Sequence, residues 1–376
     1  MIYLDNAATT MLSPEVLDSM VPFLGQQYGN ASGVYALARA SRKAVEQARR
    51  AVASAIGADA KEVFFTGSGT ESDNWALRGM MEGVAGGHVI TTSIEHHAVL
   101  NTCRWLEQQG HRITYLAVDG EGIVSPDDVR HAITENTRLI SVMAANNEIG
   151  TLQPIAEIGA VAREHGIPMH VDAVQAAGTI TIDVNAWQAD LLSLSAHKVH
   201  GPKGVGVLYV RGKTPIKPLL VGGAQEMGRR AGTENVAGIV GMGTAMRLAQ
   251  ENRATATPRI KTLRDRLMNG ILDGIPGAHL NGSATQRLCS NINVHFDDVE
   301  GEALLLRLDL AGIAASSGAA CTAGALEPSH VLVAIGRNRV QSRSAIRFSL
   351  SDLNTDEEID EVLRVLPKLV ADLRAH

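Results

Sequence analysis

Cysteine is scarce in this chain of 376 residues, which contains three: Cys103, Cys289 and Cys321. They lie far apart, and none belongs to a Cys-x-x-Cys pair. The odd number and the wide spacing argue against a disulfide framework and against a structural zinc site, so no metal ligands are predicted. Each cysteine is therefore expected to be a small core residue or a reactive thiol.

The sequence also lacks long hydrophobic runs and an excess of positive charge. No apolar stretch approaches the roughly 18 residues that a membrane-spanning helix needs, and residues 1–6 contain neither a basic segment nor an apolar signal core. Lys and Arg number 34 against 40 Asp and Glu, a net charge of −6, whereas a nucleic-acid-binding domain usually carries a basic surface. We therefore expect a cytoplasmic protein that binds neither membranes nor nucleic acid.

Four common motifs of nucleotide-binding proteins and hydrolases are missing as well. The sequence has no Gly-x-x-x-x-Gly-Lys-Ser/Thr loop, no Gly-x-Gly-x-x-Gly turn after a strand, no His-Glu-x-x-His pair and no Gly-x-Ser-x-Gly elbow. These absences disfavour nucleotide phosphate loops, zinc proteases and serine hydrolases. The composition itself, with 45% hydrophobic and 20% charged residues, is that of an ordinary globular protein.

Short apolar runs alternate with helical patterns from about residue 60 to residue 250. This alternation predicts an α/β fold with a mostly parallel sheet between helices. Continuously apolar runs are expected where helices cover both faces of a sheet. The predicted strands span residues 62–66, 88–92, 113–118, 139–144, 168–172, 190–195 and 205–210. Helices are predicted at residues 36–56, 98–109 and 155–165, and another is expected to begin after Ser125.

The chain is expected to form two domains. A long helix is predicted over residues 234–273, and Pro258 within it should break or kink the helix because proline has no amide N–H. We place the domain change there, with a large domain at residues 15–258 and a smaller α+β domain at residues 1–14 and 259–376. The small domain is predicted to contain strands at 290–296 and 345–350 and a final helix at 356–374.

Three segments that follow predicted strands carry residues suited to chemistry. The glycine-rich turn at residues 66–72 is either a plain tight turn or a phosphate seat made of backbone N–H groups at a helix start. Asp172 ends a strand where α/β sheets bind ligands, unless it only caps a following helix. Lys198 follows the strand at 190–195, and it is either a solvated loop lysine or a semi-buried amine that can form a Schiff base.

Taken together, these three segments suit one ligand. Pyridoxal phosphate requires a lysine for a Schiff base, a carboxylate for the pyridine nitrogen and a seat for its phosphate. The carboxylate keeps the ring nitrogen protonated, so the ring can accept electrons from a carbanion. We therefore predict pyridoxal 5'-phosphate as the cofactor.

Further motifs extend over nearly the whole chain. They are Gly69-Thr70-Glu71-Ser72, Glu95-His96, Asn146-Asn147-Glu148-Ile149-Gly150, Asp172-Ala173-Val174-Gln175, Ser195-Ala196-His197-Lys198, Arg230-Ala231-Gly232-Thr233-Glu234-Asn235 and Ser316-Ser317-Gly318-Ala319-Ala320-Cys321. With these motifs the sequence resembles the cysteine desulfurases of the NifS/IscS type, which belong to the fold-type-I pyridoxal-phosphate enzymes.

The resemblance implies a role for each matching residue near the cofactor ring. Lys198 would hold the cofactor covalently, and Asp172 would pair with the pyridine nitrogen. His96 would stack on the ring and take part in proton transfer. Gln175 would form a hydrogen bond to the phenolic oxygen of the ring.

The resemblance also implies residues for the phosphate and the substrate. The residues expected to hold the phosphate are Gly69, Thr70, Ser195 and His197. Thr233 resembles a threonine that reaches the phosphate of a neighbouring subunit, which implies a homodimer with shared sites. Asn147 and Arg347 would bind the carboxylate of the substrate, since arginine is a bidentate donor.

Cys321 is the residue that the resemblance singles out for sulfur chemistry. Residues 316–324 are Ser, Gly, Ala, Thr and Cys with no bulky anchor, which predicts a mobile segment, although a small buried cysteine is the alternative. The Thr-Ala-Gly after the cysteine resembles the NifS/IscS group rather than the SufS group. Cys103 and Cys289 are expected to be structural.

The implied function is that of an L-cysteine desulfurase, which yields L-alanine and a persulfide on Cys321. The sulfur would pass to an iron–sulfur scaffold or another acceptor protein, and Cys321 could contact a cluster during transfer. The alternatives are a class V aminotransferase, a selenocysteine lyase, and a catalytically idle scaffold for sulfur-transfer partners. Cys321 argues against an aminotransferase, and the complete set of site residues argues against an idle scaffold.

Overall fold

The computed structural model describes residues 1–317 and 328–375. Cys321 and most of the segment around it, for which mobility is predicted, lie outside the described residues. Among the described helices, none combines the length and the apolar character needed to cross a lipid bilayer.

The described residues form eleven helices and twelve strands. The helices are α1 (Pro14–Leu24), α2 (Ala36–Ile56), α3 (Gly69–Met81), α4 (His97–Gln108), α5 (Pro126–Ala132), α6 (Ile155–Glu164), α7 (Val236–Gly274), α8 (Gly301–Leu310), α9 (His330–Ala334), α10 (Arg339–Arg343) and α11 (Asp356–Arg374). The strands are β1 (Ile2–Tyr3), β2 (Val63–Thr66), β3 (His88–Thr92), β4 (Arg112–Leu116), β5 (Thr137–Ser141), β6 (Met169–Asp172), β7 (Leu191–Ser195), β8 (Gly206–Val210), β9 (Ala278–Leu280), β10 (Asn291–Phe296), β11 (Ile313–Ala314) and β12 (Ala345–Ser349).

Seven strands form the central sheet in the order β2-β8-β7-β6-β5-β3-β4. Only β8 runs antiparallel to its neighbours within this sheet, and the other neighbouring pairs are parallel. The mostly parallel α/β sheet predicted from the sequence is therefore confirmed, and each of the seven predicted strands overlaps an observed one. Five of the seven strands, namely β2, β3, β6, β7 and β8, are buried along their whole length, as expected where helices cover both faces. In β5 Arg138 is exposed and the other residues are buried, and the edge strand β4 is mostly half-buried.

The predicted signals for helix ends act locally as expected. The hydroxyl of Ser125 accepts a hydrogen bond from the Asp127 N–H, and Pro126 occupies the first position of α5. Gly57 ends α2 with a φ of +71°, a left-handed conformation that glycine adopts without steric strain. These ends fix where the chain leaves each helix and enters the next strand.

The sheet topology brings the three predicted chemical segments to one edge. β6 ends at Asp172, and its parallel neighbour β7 ends at Ser195 and continues into a 3₁₀ turn at Ala196–Lys198. β2 runs parallel to β7 because both are antiparallel to β8, so the turn from β2 into α3 reaches the same edge. This carboxyl edge is where open α/β sheets bind ligands.

The predicted break of α7 at Pro258 is wrong, since α7 continues through the proline as one helix of 39 residues. A kink at Pro258 stays a prediction. Buried side chains stabilise the helix on both sides of the proline, with Ile239 and Met242 in the core beside the central sheet and Leu263 and Leu267 in a second core. Because packing holds both halves, the loss of one backbone hydrogen bond does not end the helix.

The second core surrounds a three-stranded sheet in the order β12-β10-β9. It contains Leu4 and buried residues between Ile260 and Val370, whereas the core beside the central sheet ends at Met246. We keep the division into a large and a small domain as a proposal, which these two clusters support. The N-terminal strand β1 pairs in parallel with β11. Asp5 bridges to Ser349, and the Thr10 N–H donates to the His197 carbonyl at 2.9 Å, so residues 5–10 connect the small sheet to the end of β7.

Candidate active site

A cavity of about 380 Å³ lies at the carboxyl edge of the central sheet. The N-terminal segment forms one of its walls through Ala7 and Ala8. The predicted site residues that line it are Gly69, Thr70, His96, Asn147, Asp172, Gln175, Ser195, His197, Lys198 and Arg347. The fold thus brings together ten residues that are spread over most of the sequence.

Lys198 ends the 3₁₀ turn that follows β7. Its Nζ donates hydrogen bonds to the backbone carbonyls of Ala7 at 2.5 Å and Ala8 at 2.7 Å. The N-terminal segment is itself fixed by the small core, since the Ala7 N–H donates to the Ser349 hydroxyl at 2.8 Å. The lysine amine is therefore held at the cavity wall, which disfavours the alternative of a solvated loop lysine.

Asp172 lies at the floor of the cavity and is 5% exposed. Its Oδ1 accepts a hydrogen bond from the Val174 N–H at 2.9 Å. Burial raises the pKa of Asp172, and nearby His96 and Lys198 oppose that rise. Residues 174–179 form turns, so the alternative role as a helix cap is wrong. A buried carboxylate in this position favours a cationic partner.

His96 precedes α4 and caps it. Its Nδ1 accepts a hydrogen bond from the Ala98 N–H at 3.1 Å, which satisfies one of the unpaired donors of the first helical turn. Burial lowers the pKa of His96, so the ring is neutral near pH 7. Because Nδ1 accepts a hydrogen bond, the ring proton lies on Nε2.

The first turn of α3 forms another wall of the cavity. The Ser68 hydroxyl caps it by accepting from the Glu71 N–H at 3.1 Å. A Cβ atom at Gly69 would lie 2.8 Å from Val174 Cγ2, closer than packed carbon atoms approach, so a larger residue would force this turn or Val174 to shift. Ser195, also beside Gly69, is buried. The positive end of α3 thus faces the cavity and favours an anion such as a phosphate over a plain tight turn.

Arg347 lies on β12 and is 2% exposed. Its two terminal nitrogens donate to the Asn147 carbonyl at 2.9 Å and to the Asp5 carboxylate at 2.7 Å. Its buried Nε has no hydrogen-bond partner among the described residues. Because Arg347 lines the cavity and a guanidinium can donate two parallel hydrogen bonds to a carboxylate, the arrangement suits an acidic ligand.

Of three other predicted residues, two line the cavity and contact the N-terminal segment, and the third lies away from the cavity. Gln175 donates from Nε2 to the Ala7 carbonyl at 3.0 Å, and His197 Nδ1 lies 3.2 Å from the Thr9 hydroxyl. Burial lowers the pKa of His197 to about 4, helped by Lys198, so its ring is neutral. Thr233 is exposed and is not among the described residues that line the cavity.

Sequence reasoning missed several groups at the site. Buried Glu148 accepts a hydrogen bond from the Ser329 hydroxyl at 2.5 Å, and burial raises its pKa. The His97 and His330 rings also line the cavity, with their centroids 4.7 Å apart. Asp73 lies one turn after Gly69 on α3, where its carboxylate is buried. Glu148 and His97 are neighbours of predicted residues, which is the signal that could have found them.

The two described cysteines are buried and reduced. Cys103 lies in α4, and burial raises the pKa of its thiol. Burial raises the pKa of Cys289 to about 11. Both thiols are therefore protonated and inaccessible at neutral pH, as expected of structural cysteines.

The side chains and backbone groups that line the cavity suit pyridoxal phosphate. Lys198 supplies an amine, Asp172 supplies a buried carboxylate, and Gly69 permits close approach to the start of α3. Fold and site together define a pyridoxal-phosphate-dependent enzyme. The family model of the class-V aminotransferases matches residues 2–362, in agreement with this definition.

Individual relatives narrow the class further. The cysteine desulfurase IscS of Methanosarcina thermophila is 52% identical over 375 residues, which cover 99% of this chain and 93% of that protein. A solved NifS-like protein matches with a TM-score of 0.93 at 37% identity and 99% coverage of both chains. The protein SspA, solved in complex with cysteine, matches with a TM-score of 0.84 at 37% identity, covering 94% of this chain and all of SspA.

This chain belongs to the cysteine desulfurases of the class-V aminotransferase family. The predicted family, enzyme class and cofactor are thereby confirmed.

Proposed function

We propose that this protein removes sulfur from L-cysteine, giving L-alanine and a persulfide on Cys321. The observation that carries the proposal is the meeting of Lys198, Asp172 and Arg347 in one cavity. Together they offer a covalent anchor, a partner for a protonated ring nitrogen and a seat for an amino acid carboxylate. Membership of the cysteine desulfurases supports cysteine as that amino acid.

Residues that line the cavity would hold the cofactor at both its phosphate and its ring nitrogen. Pyridoxal phosphate, when bound, supplies a carbonyl carbon for an amine and a ring that withdraws electrons from the substrate. Gly69, Thr70, Ser195 and His197 would hold the phosphate beside the positive end of α3. Asp172 would stabilise a proton on the ring nitrogen, because its buried carboxylate would gain a cationic partner there.

Proton transfer falls to two residues that face the cavity. Lys198 is placed to move the α proton of the substrate through Nζ. His96 holds its proton on Nε2 and is neutral near pH 7, so in this state it donates a hydrogen bond. It gives up the Nε2 proton only when Nδ1 takes up another one, which requires release of the Ala98 N–H. The cap that Nδ1 forms with the Ala98 N–H fixes the ring in this tautomer.

Arg347 and Asn147 bind the substrate carboxylate. The guanidinium is already oriented by the Asn147 carbonyl and Asp5, so little side-chain freedom is lost when a carboxylate binds. Asp5 competes for the same cation, and an arriving carboxylate replaces or shares that contact.

Cys321 accepts the sulfur as a thiolate. Its sulfur forms a bond to the substrate sulfur while the bond between that sulfur and the substrate's β carbon breaks. The β carbon keeps the bond's electron pair and takes up a proton, which completes L-alanine. Neither Cys103 nor Cys289 can replace Cys321 in this step, because both are buried. An iron–sulfur scaffold or another acceptor protein in the cytoplasm then takes the sulfur.

The enzyme acts as a homodimer in which Thr233 serves the phosphate of the neighbouring site. The exposure of Thr233 away from its own cavity supports this arrangement. A Thr233→Ala chain mixed with a Lys198→Ala chain should form heterodimers with one intact site and measurable activity. If isolated heterodimers are no more active than the Thr233→Ala homodimer, the sharing is wrong.

The activity itself is tested by incubating the holoenzyme with L-cysteine and a reductant. We expect alanine and sulfide in equal amounts without any added keto acid. Turnover that requires a keto acid would instead indicate an aminotransferase, and no turnover of cysteine would favour an idle scaffold. A faster reaction with selenocysteine than with cysteine would favour a selenocysteine lyase.

A further inference from the structure

Two histidines and an aspartate form a cluster on the small three-stranded sheet. His279 on β9 lies directly opposite His295 on β10 in the antiparallel register. Asp297 follows directly after β10, and its Oδ2 lies 2.9 Å from His279 Nε2. One ligand atom from each of the three side chains lies within 4.8 Å of the others.

His295 is held in the state that a metal ligand requires. It is buried, and its Nδ1 lies 3.0 Å from Asn281 Oδ1. That oxygen is an acceptor, because the Asn281 amide nitrogen donates to Asn293 and Arg337 Nε donates to the same Oδ1. His295 Nδ1 therefore carries the proton, and the lone pair of Nε2 remains for a ligand. Orientation of a ring by a second hydrogen bond is the usual support of metal-binding histidines.

Hydrogen bonds also hold Asp297 in the cluster. His279 Nε2 lies 2.9 Å from Asp297 Oδ2. Arg374 donates from Nε to the Asp297 backbone carbonyl at 2.9 Å and from Nη1 to the Pro276 carbonyl at 2.8 Å. The cluster thus offers two imidazole nitrogens and one carboxylate oxygen.

We propose that His279, His295 and Asp297 bind a divalent transition metal ion of the zinc type. Two imidazole nitrogens and one carboxylate suit such an ion, with water at the remaining position. Metal–ligand bonds of about 2.1 Å place tetrahedral ligand atoms about 3.4 Å apart, so the widest pair must close by at most about 1.4 Å.

The side chains of His279 and Asp297 can make this movement because they are 50% and 51% exposed. They are already in contact, with His279 Nε2 2.9 Å from Asp297 Oδ2. On binding, His279 Nε2 loses its proton while Nδ1 gains one by exchange with water, and the metal takes the place of the proton between nitrogen and carboxylate. The site would tie the edge strand β9 to β10.

Zinc binding to the holoenzyme by equilibrium dialysis tests the proposal. His279→Phe keeps an aromatic ring against His295 but removes the ligand nitrogen, and Asp297→Asn keeps the shape but removes the charge. His131→Ala removes an exposed histidine of α5 and serves as the matched control. Retained absorbance of the bound cofactor shows that each variant is folded.

We expect His279→Phe to bind one zinc ion fewer per chain than the wild type, and Asp297→Asn to bind that ion at least 10-fold more weakly. His131→Ala should match the wild type. Zinc should also raise the melting temperature of the wild type more than that of His279→Phe. Any zinc bound at the active site or by Cys321 would bind equally to the wild type and the three variants, so it does not affect the difference in stoichiometry between them. Equal stoichiometry and affinity in His279→Phe and the wild type would overturn the proposal, whatever the outcome for desulfurase activity.

Discussion

Replacing Gly69 with alanine tests the phosphate seat at the start of α3. The added Cβ would lie 2.8 Å from Val174 Cγ2 and 3.4 Å from Ser195 Cβ. The first contact is well inside normal packing distance, and the β-branched Val174 side chain has little freedom to yield. We expect the first turn of α3 to shift by several tenths of an ångström and to move its N–H groups away from the phosphate.

Overpacking of this kind costs about 1 to 3 kcal/mol. If that cost falls on the bound state, the dissociation constant for pyridoxal phosphate rises about 5-fold to 150-fold. The stability of the cofactor-free protein should change little, since alanine is a better helix former than glycine and offsets part of the strain. The assay is a titration of cofactor-free protein with pyridoxal phosphate, read from absorbance.

Two further variants make this test specific. Gly274→Ala is the matched control, because Gly274 ends α7 with no atom within 4 Å of an added Cβ. Val174→Ala combined with Gly69→Ala removes the clashing methyl and should restore most of the affinity. Wild-type affinity in the Gly69→Ala chain, or failure of the double variant to recover, would refute the assignment of this turn.

The remaining predictions concern the carboxylate seat and a buried acid. Arg347→Lys should raise the KM for L-cysteine about 10-fold to 100-fold with a smaller change in kcat. Lysine lacks the planar guanidinium, and hydrogen bonds to charged groups contribute about 1.5 to 3 kcal/mol. An unchanged KM in steady-state kinetics would show that the substrate carboxylate binds elsewhere. Glu95→Gln should alter how stability depends on pH. Burial raises the pKa of Glu95 from near 4.5 to about 8, so above about pH 4.5 the folded chain keeps a proton that the unfolded chain releases. Stability should therefore fall as the pH rises from about 5 to 8, and the glutamine variant should lose that part of the slope in urea unfolding. Equal slopes in both chains would show that Glu95 ionises normally.

Much of the large sheet could be predicted because its strands are short, apolar and buried on both faces. The positions of Asp172 and Lys198 followed from the same reasoning, since both come directly after such strands. Local signals also marked helix ends, as at Ser125 and Gly57. These features depend on residues that are close together in the sequence, so the sequence pattern predicts them directly.

Contacts between distant parts of the chain could not be predicted in this way. The ion pair between Arg347 and Asp5 joins residues 342 positions apart, and it depends on the bridge between Asp5 and Ser349 at the end of β12. The cross-strand partners His279 and His295 are separated by a loop, so their spacing resembles no metal motif, and no metal site was predicted. The predicted break of α7 at Pro258 failed for a related reason, since packing on both sides of the proline outweighs its local tendency to end a helix.

The central claim is that Cys321 receives the sulfur of L-cysteine, and mass spectrometry of the protein after a pulse of cysteine tests it most directly. We expect one extra sulfur on the peptide that contains Cys321, and none on the peptides of Cys103 and Cys289, whose buried thiols are protonated. The Cys321→Ala chain should bind cofactor and cysteine without releasing sulfur, whereas Cys103→Ala and Cys289→Ala should retain activity. Sulfur carried only by Cys103 or Cys289, or alanine and sulfide released by Cys321→Ala at the wild-type rate, would contradict the account.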